Sequence, residues 1–254
     1  MKYVFAGDRD ISVTILKFIL EKGYPPSALL VTEKNKASHA DKLAELAELP
    51  AEWIFHGKDF SSSESIEKLK SLHVDYIISI HFPYIISKNV LEIPAVGFLN
   101  LHPAFLPYNK GWHTPSWAII ENTIYGATLH FMSEQLDTGD IVHQKICPVN
   151  AGDTANILYQ RVKESEVEVF KEAFPFLISL NPPRKKQNEV GTSHFKKDLL
   201  KYQPLSLQKE VKTGELINRL RALTTNNIEE AAYYIMDGKK YFVQVSITEK
   251  KDQE

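Results

Sequence analysis

Over its first hundred residues the chain alternates short apolar runs with amphipathic stretches, and this alternation constrains the fold more than any other feature. Tyr3-Val4-Phe5-Ala6 is a β-prone run ending at Gly7-Asp8; Ile11, Ile15, Phe18 and Ile19 follow at helical spacing, and Gly23 and Pro25-Pro26 stop them. The pair then recurs, with a strand at Ala28 to Thr32, a helix at Ala37 to Leu49, a strand at Glu52 to Phe55 and a helix at Ser63 to Leu72. Asp75 to Ile80 and Val96 to Leu101 read as further strands. A helix between successive strands returns the chain to the edge it left, so neighbouring strands run parallel with both faces covered. The prediction is an α/β fold: a Rossmann-like, mostly parallel sheet with helices on both faces.

After residue 120 the pattern changes. Gly126 to Met132 and Ile141 to Val149 are two strands about ten residues apart, read as an antiparallel pair, and Asp153 reads as the cap of a helix whose apolar face is Leu158, Val162, Val169, Phe170 and Ala173. From Arg184 to Lys212 the chain carries eight basic and three acidic residues, the composition of a solvated linker. Beyond it, Glu215 to Leu223 is a short amphipathic helix, and Ala231 to Met236 and Lys240 to Ile247 flank Asp237-Gly238, a two-residue hairpin signal. About 40 residues cannot hold a core alone, so this small C-terminal helix and β-hairpin subdomain should pack on the rest. The division expected is 1–180, a polar linker 181–213 and 214–254, with 250–254 frayed.

Composition removes several classes of function. A formal charge of −2 supplies no global field for a polyanion, so no nucleic-acid partner is expected. The single cysteine, Cys147, allows neither an intramolecular disulfide nor a thiolate metal site, and no run resembles a signal peptide or a membrane span. The expectation is a cytoplasmic protein without metal and without a membrane partner.

The first strand-to-helix turn, Ala6-Gly7-Asp8-Arg9, lacks the three glycines of a dinucleotide loop, although Arg9, Ser12 and the helix N-terminus together can hold a phosphate. The chemistry concentrates in residues 97 to 141. Asn100 and His102 are two apart at the end of an apolar strand, so both point to one side at the carboxyl edge where open α/β sheets bind ligands. Pro103, Pro107 and Gly111 then bend the chain away. Asp137-Thr138-Gly139-Asp140 puts a carboxylate into the loop between the two later strands. An amide, an imidazole and a carboxylate form an acyl-transfer set: the imidazole accepts the nucleophile's proton, the carboxylate stabilises the imidazolium, and the amide donates to an oxyanion.

With its Asn-x-His-Pro and Asp-x-Gly patterns, this segment resembles the 10-formyltetrahydrofolate-dependent formyltransferase family over residues 1 to about 180. Less closely, Gly191-Thr192-Ser193-His194, Leu216 to Thr224 and Asp237-Gly238-Lys239-Lys240 resemble the small C-terminal subdomain of several members. The resemblance implies that Asn100, His102 and Asp137 are the catalytic triad, and that 10-formyltetrahydrofolate is the co-substrate. It further implies that the turn after residue 80, with Phe82, Tyr84, Ile85 and Ile86, together with Asp137, lodges the folate. Leu106-Pro107-Tyr108-Asn109-Lys110-Gly111-Trp112 is most similar to the branch that formylates nucleotide-linked amino sugars for surface polysaccharides such as O-antigen, typically as a homodimer. The best acceptor on that reading is dTDP-4-amino-4,6-dideoxyglucose. A 3-amino dideoxyhexose, GDP-perosamine, a purine precursor, methionyl-tRNA or hydrolysis to formate remain open. Asn109, Lys110, Gly111, Trp112 and His113 are then the sugar-nucleotide candidates, with Phe195 and Tyr202 to stack on the base.

Overall fold

The computed structural model describes residues 1–33, 35–36, 39–187 and 190–250. Its elements in chain order are β1 (Tyr3–Gly7), α1 (Asp10–Glu21), β2 (Ala28–Val31), α2 (Ala40–Ala47), β3 (Ile54–His56), α3 (Ser63–Ser71), β4 (Tyr76–Ile80), α4 (Lys88–Leu91), β5 (Gly97–His102), β6 (Lys110–Gly111), α5 (Thr114–Glu121), β7 (Gly126–Phe131), β8 (Ile141–Ile146), α6 (Ala155–Ile178), β9 (Ser193–His194), α7 (Thr213–Ala222), β10 (Ala232–Met236) and β11 (Lys239–Val243). Two compact units result. The first holds residues 1–102, 128–144 and 166–188; the second holds 103–127, 145–165 and 189–254.

The sheet of the first unit has strand order β3-β2-β1-β4-β5-β7-β8. β1 to β5 pair in parallel and β5 pairs antiparallel with β7, so the sheet is mostly parallel, as the alternation predicts. Every residue of β1, β2, β4 and β7 is buried, and β1, β2 and β4 accordingly read as largely apolar runs. One core cluster joins Val4, Leu30, Phe60, Leu69, Ile77 and Phe98. At the head of α1, the Ser12 hydroxyl donates to the Ile80 carbonyl (2.7 Å) and accepts from the Asp8 N–H (3.2 Å). This tie holds the β1 turn to the end of β4.

In the second unit, Trp117, Leu199, Leu223 and Ala232 share a core, so the C-terminal elements do not bury their apolar faces on one another alone. The stretch read as a solvated linker carries β9, which pairs in parallel with β6, and a 3-10 helix over Lys196–Tyr202 with Leu199 buried. The hairpin of β10 and β11 turns through Asp237 and Gly238, both left-handed (φ 51° and 74°), as the two-residue turn requires.

Several local boundaries differ from the expected ones. Ala51–Trp53 is a 3-10 turn, so β3 starts at Ile54. The second helix starts at Ala40; its expected opening at 37 and 38 lies outside the described residues, as do residues 251–254 of the expected frayed end. Thr154 rather than Asp153 caps α6, its hydroxyl accepting from the Ile157 N–H at 3.3 Å. The Asp153 carboxylate is already taken by Arg161 (2.5 and 2.8 Å) and the Asn150 N–H (2.6 Å). Burial raises the Asp153 pKa, but these bonds outweigh it and hold the carboxyl below its ordinary range. Among the described residues no helix is long and apolar enough to cross a membrane.

Candidate active site

Asn100 and His102 occupy alternate positions at the end of β5, and the antiparallel register sets Asn100 opposite His130 of β7. Directly opposed residues on antiparallel strands bring their side chains together, and Asn100 Nδ2 stands 3.3 Å from His130 Nε2. Asp137, in the loop before β8, brings one carboxylate oxygen to 3.6 Å from His102 Nε2 and the other to 3.6 Å from His130 Nε2. His102 is 6% exposed and Asp137 8%, so imidazole and carboxylate are almost dry, while Asn100 is half-buried. Separations somewhat beyond hydrogen-bond length are common in catalytic groups without substrate and tighten when it binds.

His130 is the member that the sequence reading leaves out. Burial drives its pKa down to about 4, more than Asp137 can offset, so near neutral pH the ring is uncharged and its approach to Asp137 is not an ion pair. Its Nδ1 donates to the Phe131 carbonyl at 2.7 Å. That bond fixes the tautomer and leaves a lone pair on Nε2 to accept from Asn100, which orients the Asn100 amide.

A buried histidine with a lowered pKa is destabilising wherever the unfolded chain takes the proton and the folded one does not. Stability is therefore expected to fall as pH drops from about 6.5 towards 4, by at most about 1.4 kcal/mol per pH unit from this group. Urea unfolding of wild type and His130→Leu across that window checks it: the variant's stability should vary less steeply with pH, and parallel slopes would contradict the assignment.

The turn after β4 begins at His81, which is left-handed (φ 52°) and sets Nε2 2.8 Å from Oε1 of the fully buried Glu166. Phe82, Tyr84 and Phe60 then form an aromatic trio with ring centroids 5.0 to 6.1 Å apart. Phe82, Tyr84 and Ile86 pack against the core of the first unit, whereas Ile85 is 97% exposed. Of the phosphate candidates, Arg9 is exposed at the head of α1, but the Ser12 hydroxyl is already committed to Ile80 and Asp8.

The remaining substrate candidates lie in the second unit. Asn109 is a correction: it is fully buried, its backbone N–H donates to the Thr192 hydroxyl (2.8 Å) and its Nδ2 to Thr123 (2.9 Å), so it braces a turn instead of facing a ligand. Lys110 is buried too, and Gly111 carries the left-handed turn (φ 90°) after it. Trp112 is 45% exposed, with the Lys196 ammonium 5.4 Å from its ring centre, and Phe195 is 67% exposed. His113 lies 3.7 Å from Glu230, and burial lowers its pKa. Tyr202 packs its ring edge-on to Trp117, whose other contact is a flat stack on His194 at 3.7 Å, so Tyr202 belongs to the core of this unit.

Residues 4–174 match the formyl transferase family, and residues 198–249 match the N-formyltransferase dimerization C-terminal domain. The chain is 33% identical over 162 residues to the dTDP-4-amino-4,6-dideoxyglucose formyltransferase of Mycobacterium tuberculosis H37Rv, covering 64% of this chain and 69% of that protein. It is 32% identical over 203 residues to the methionyl-tRNA formyltransferase of Clostridioides difficile, covering 76% and 65%. Among solved structures, a 4-N formyltransferase from Francisella tularensis superposes with a TM-score of 0.83 at 25% identity over 98% of each chain.

Proposed function

Because the chain belongs to the formyl transferase family, we propose that Asn100, His102 and Asp137 move a formyl group from 10-formyltetrahydrofolate to the amine of a nucleotide-linked amino-deoxy sugar. The observation that carries the reading is the cluster of a half-buried amide with a buried imidazole and carboxylate around the end of β5. The acceptor amine attacks the formyl carbon, a C–N bond forms, and the carbonyl oxygen becomes an oxyanion. His102 takes the proton that the nitrogen must shed, and Asp137 stabilises the imidazolium so formed. The Asn100 amide, oriented by His130, donates to the oxyanion. Return of the proton from His102 to the folate nitrogen lets that C–N bond break, which releases tetrahydrofolate and the formamide. Charge is conserved at each step without a metal.

Support for a sugar acceptor comes from the relative that acts on dTDP-4-amino-4,6-dideoxyglucose and from a charge of −2, which suits a small anion held by local cations better than tRNA. Neighbours of the same fold include a sugar 3N-formyl transferase solved with dTDP and 5-N-formyl-THF. The folate belongs at the Phe82 to Ile86 turn, with Trp112, Phe195 and Lys110 the candidates for the nucleotide. The protein is a homodimer through residues 198–249, working in the cytoplasm towards a surface polysaccharide.

A panel of acceptors with 10-formyltetrahydrofolate tests this, reading tetrahydrofolate release and product mass. We expect turnover with dTDP-4-amino-4,6-dideoxyglucose at least tenfold above any other acceptor. Faster transfer to methionyl-tRNA, or formate release without an amine, would overturn the acceptor assignment.

A further inference from the structure

Asp137 is held in a conformation that an L-residue does not choose by itself. Its φ is +52°, in the left-handed region that side chains other than glycine enter at a cost and keep when their surroundings enforce it. On one side the loop is closed by the end of β7. The Phe131 N–H donates to the Asp140 carbonyl at 2.8 Å, and a Cβ at Gly139 would stand 1.9 Å from the Phe131 carbonyl oxygen, so only glycine passes there. On the other side, Gln187 Nε2 donates to the carbonyl of Asp137 at 3.0 Å and to that of Gly139 at 2.7 Å. A carboxamide can bridge two carbonyls only with its NH2 turned towards them. Among the described residues the buried Gln187 oxygen has no hydrogen-bond partner, so the amide is turned for the sake of that bridge.

The segment that carries Gln187 is anchored independently. Lys185 exchanges both backbone hydrogen bonds with Ile141 (2.8 and 2.9 Å), and Arg184 lies 3.6 Å over the Phe131 ring while donating to the Val96 carbonyl at 2.7 Å. Residues 184–187 also fall between the two family matches, 4–174 and 198–249. From this geometry we infer that Gln187 is a positioning residue for Asp137: its bridge holds the left-handed peptide, and so keeps the carboxylate beside His102, where it stabilises the imidazolium. The inference rests on the catalytic reading of Asp137.

Gln187→Met keeps the side chain's length and removes its donors, while the anchors at Lys185 and Arg184 remain. We expect kcat to fall about tenfold, as for one hydrogen bond to a catalytic group, with KM for folate and for sugar nucleotide within about twofold of wild type. In an Asp137→Asn background the same change should cost less than about twofold, because a residue that acts through Asp137 has nothing left to position. Gln187→Ala repeats the test should the methionine fold poorly. Wild-type kcat in both Gln187 variants, or an equal loss in both backgrounds, overturns the proposal. No gap between wild type and Asp137→Asn overturns the catalytic reading together with it, whereas a gap there beside a wild-type Gln187→Met overturns the positioning role alone.

Discussion

His102→Ala is expected to leave a folded protein whose kcat falls about 1,000-fold, since a positioned general base typically contributes about 100- to 10,000-fold. The attacking nitrogen must shed a proton once the new C–N bond forms, and the His102 imidazole is the group placed to take it. Removing the imidazole leaves water and hydroxide to do so. The residual rate should therefore climb more steeply with pH than that of wild type, by up to about tenfold per pH unit. His102 is buried beside the Asp137 carboxylate, so its truncation should lower the melting temperature by a few degrees while the protein stays folded at the assay temperature. A pH–rate series with wild type and His102→Ala, run beside a thermal melt, separates lost chemistry from lost fold. An unchanged profile at full stability would remove His102 from the mechanism.

Asn100→Ala is expected to cost about 100- to 1,000-fold in kcat with little change in the folate KM, because the amide acts on the oxyanion, which exists only on the way to product. Asn100→Asp makes the sharper comparison. The carboxylate is nearly isosteric but donates nothing when ionised, and it sets a negative charge against the developing one. The order of rates should be wild type, then Asn100→Ala, then Asn100→Asp. If aspartate outperforms alanine, the amide's role is to fill space or to brace His130, and the oxyanion assignment fails.

The parallel half of the sheet was legible because β1, β2 and β4 are buried on both faces and separated by helices with clear stops, so local pattern and tertiary environment agree. Asn100 and His102 were legible for a related reason: a two-residue spacing at the end of an apolar strand leaves their direction no choice. His130 was not, although a hint exists in Gly126–Phe131, where one imidazole interrupts a strand otherwise fit for complete burial. Its meaning depends on the strand across from it, and cross-strand register is a long-range property. Asn109 was a candidate only through the resemblance of residues 106–112, and that segment says nothing of the distant Thr123 and Thr192 to which it is bonded in a buried turn. Gln187 carried no signal at all, since a glutamine in a basic stretch looks the same whether it is solvated or spans two carbonyls.

Following the formyl carbon itself tests the central claim most directly. In a single turnover with 10-formyltetrahydrofolate labelled at that carbon and dTDP-4-amino-4,6-dideoxyglucose, the account predicts that the label appears in the amide of the sugar nucleotide as tetrahydrofolate is released, and that His102→Ala leaves it on the folate. Label recovered as free formate, or label reaching the sugar amine equally fast without His102, would contradict it.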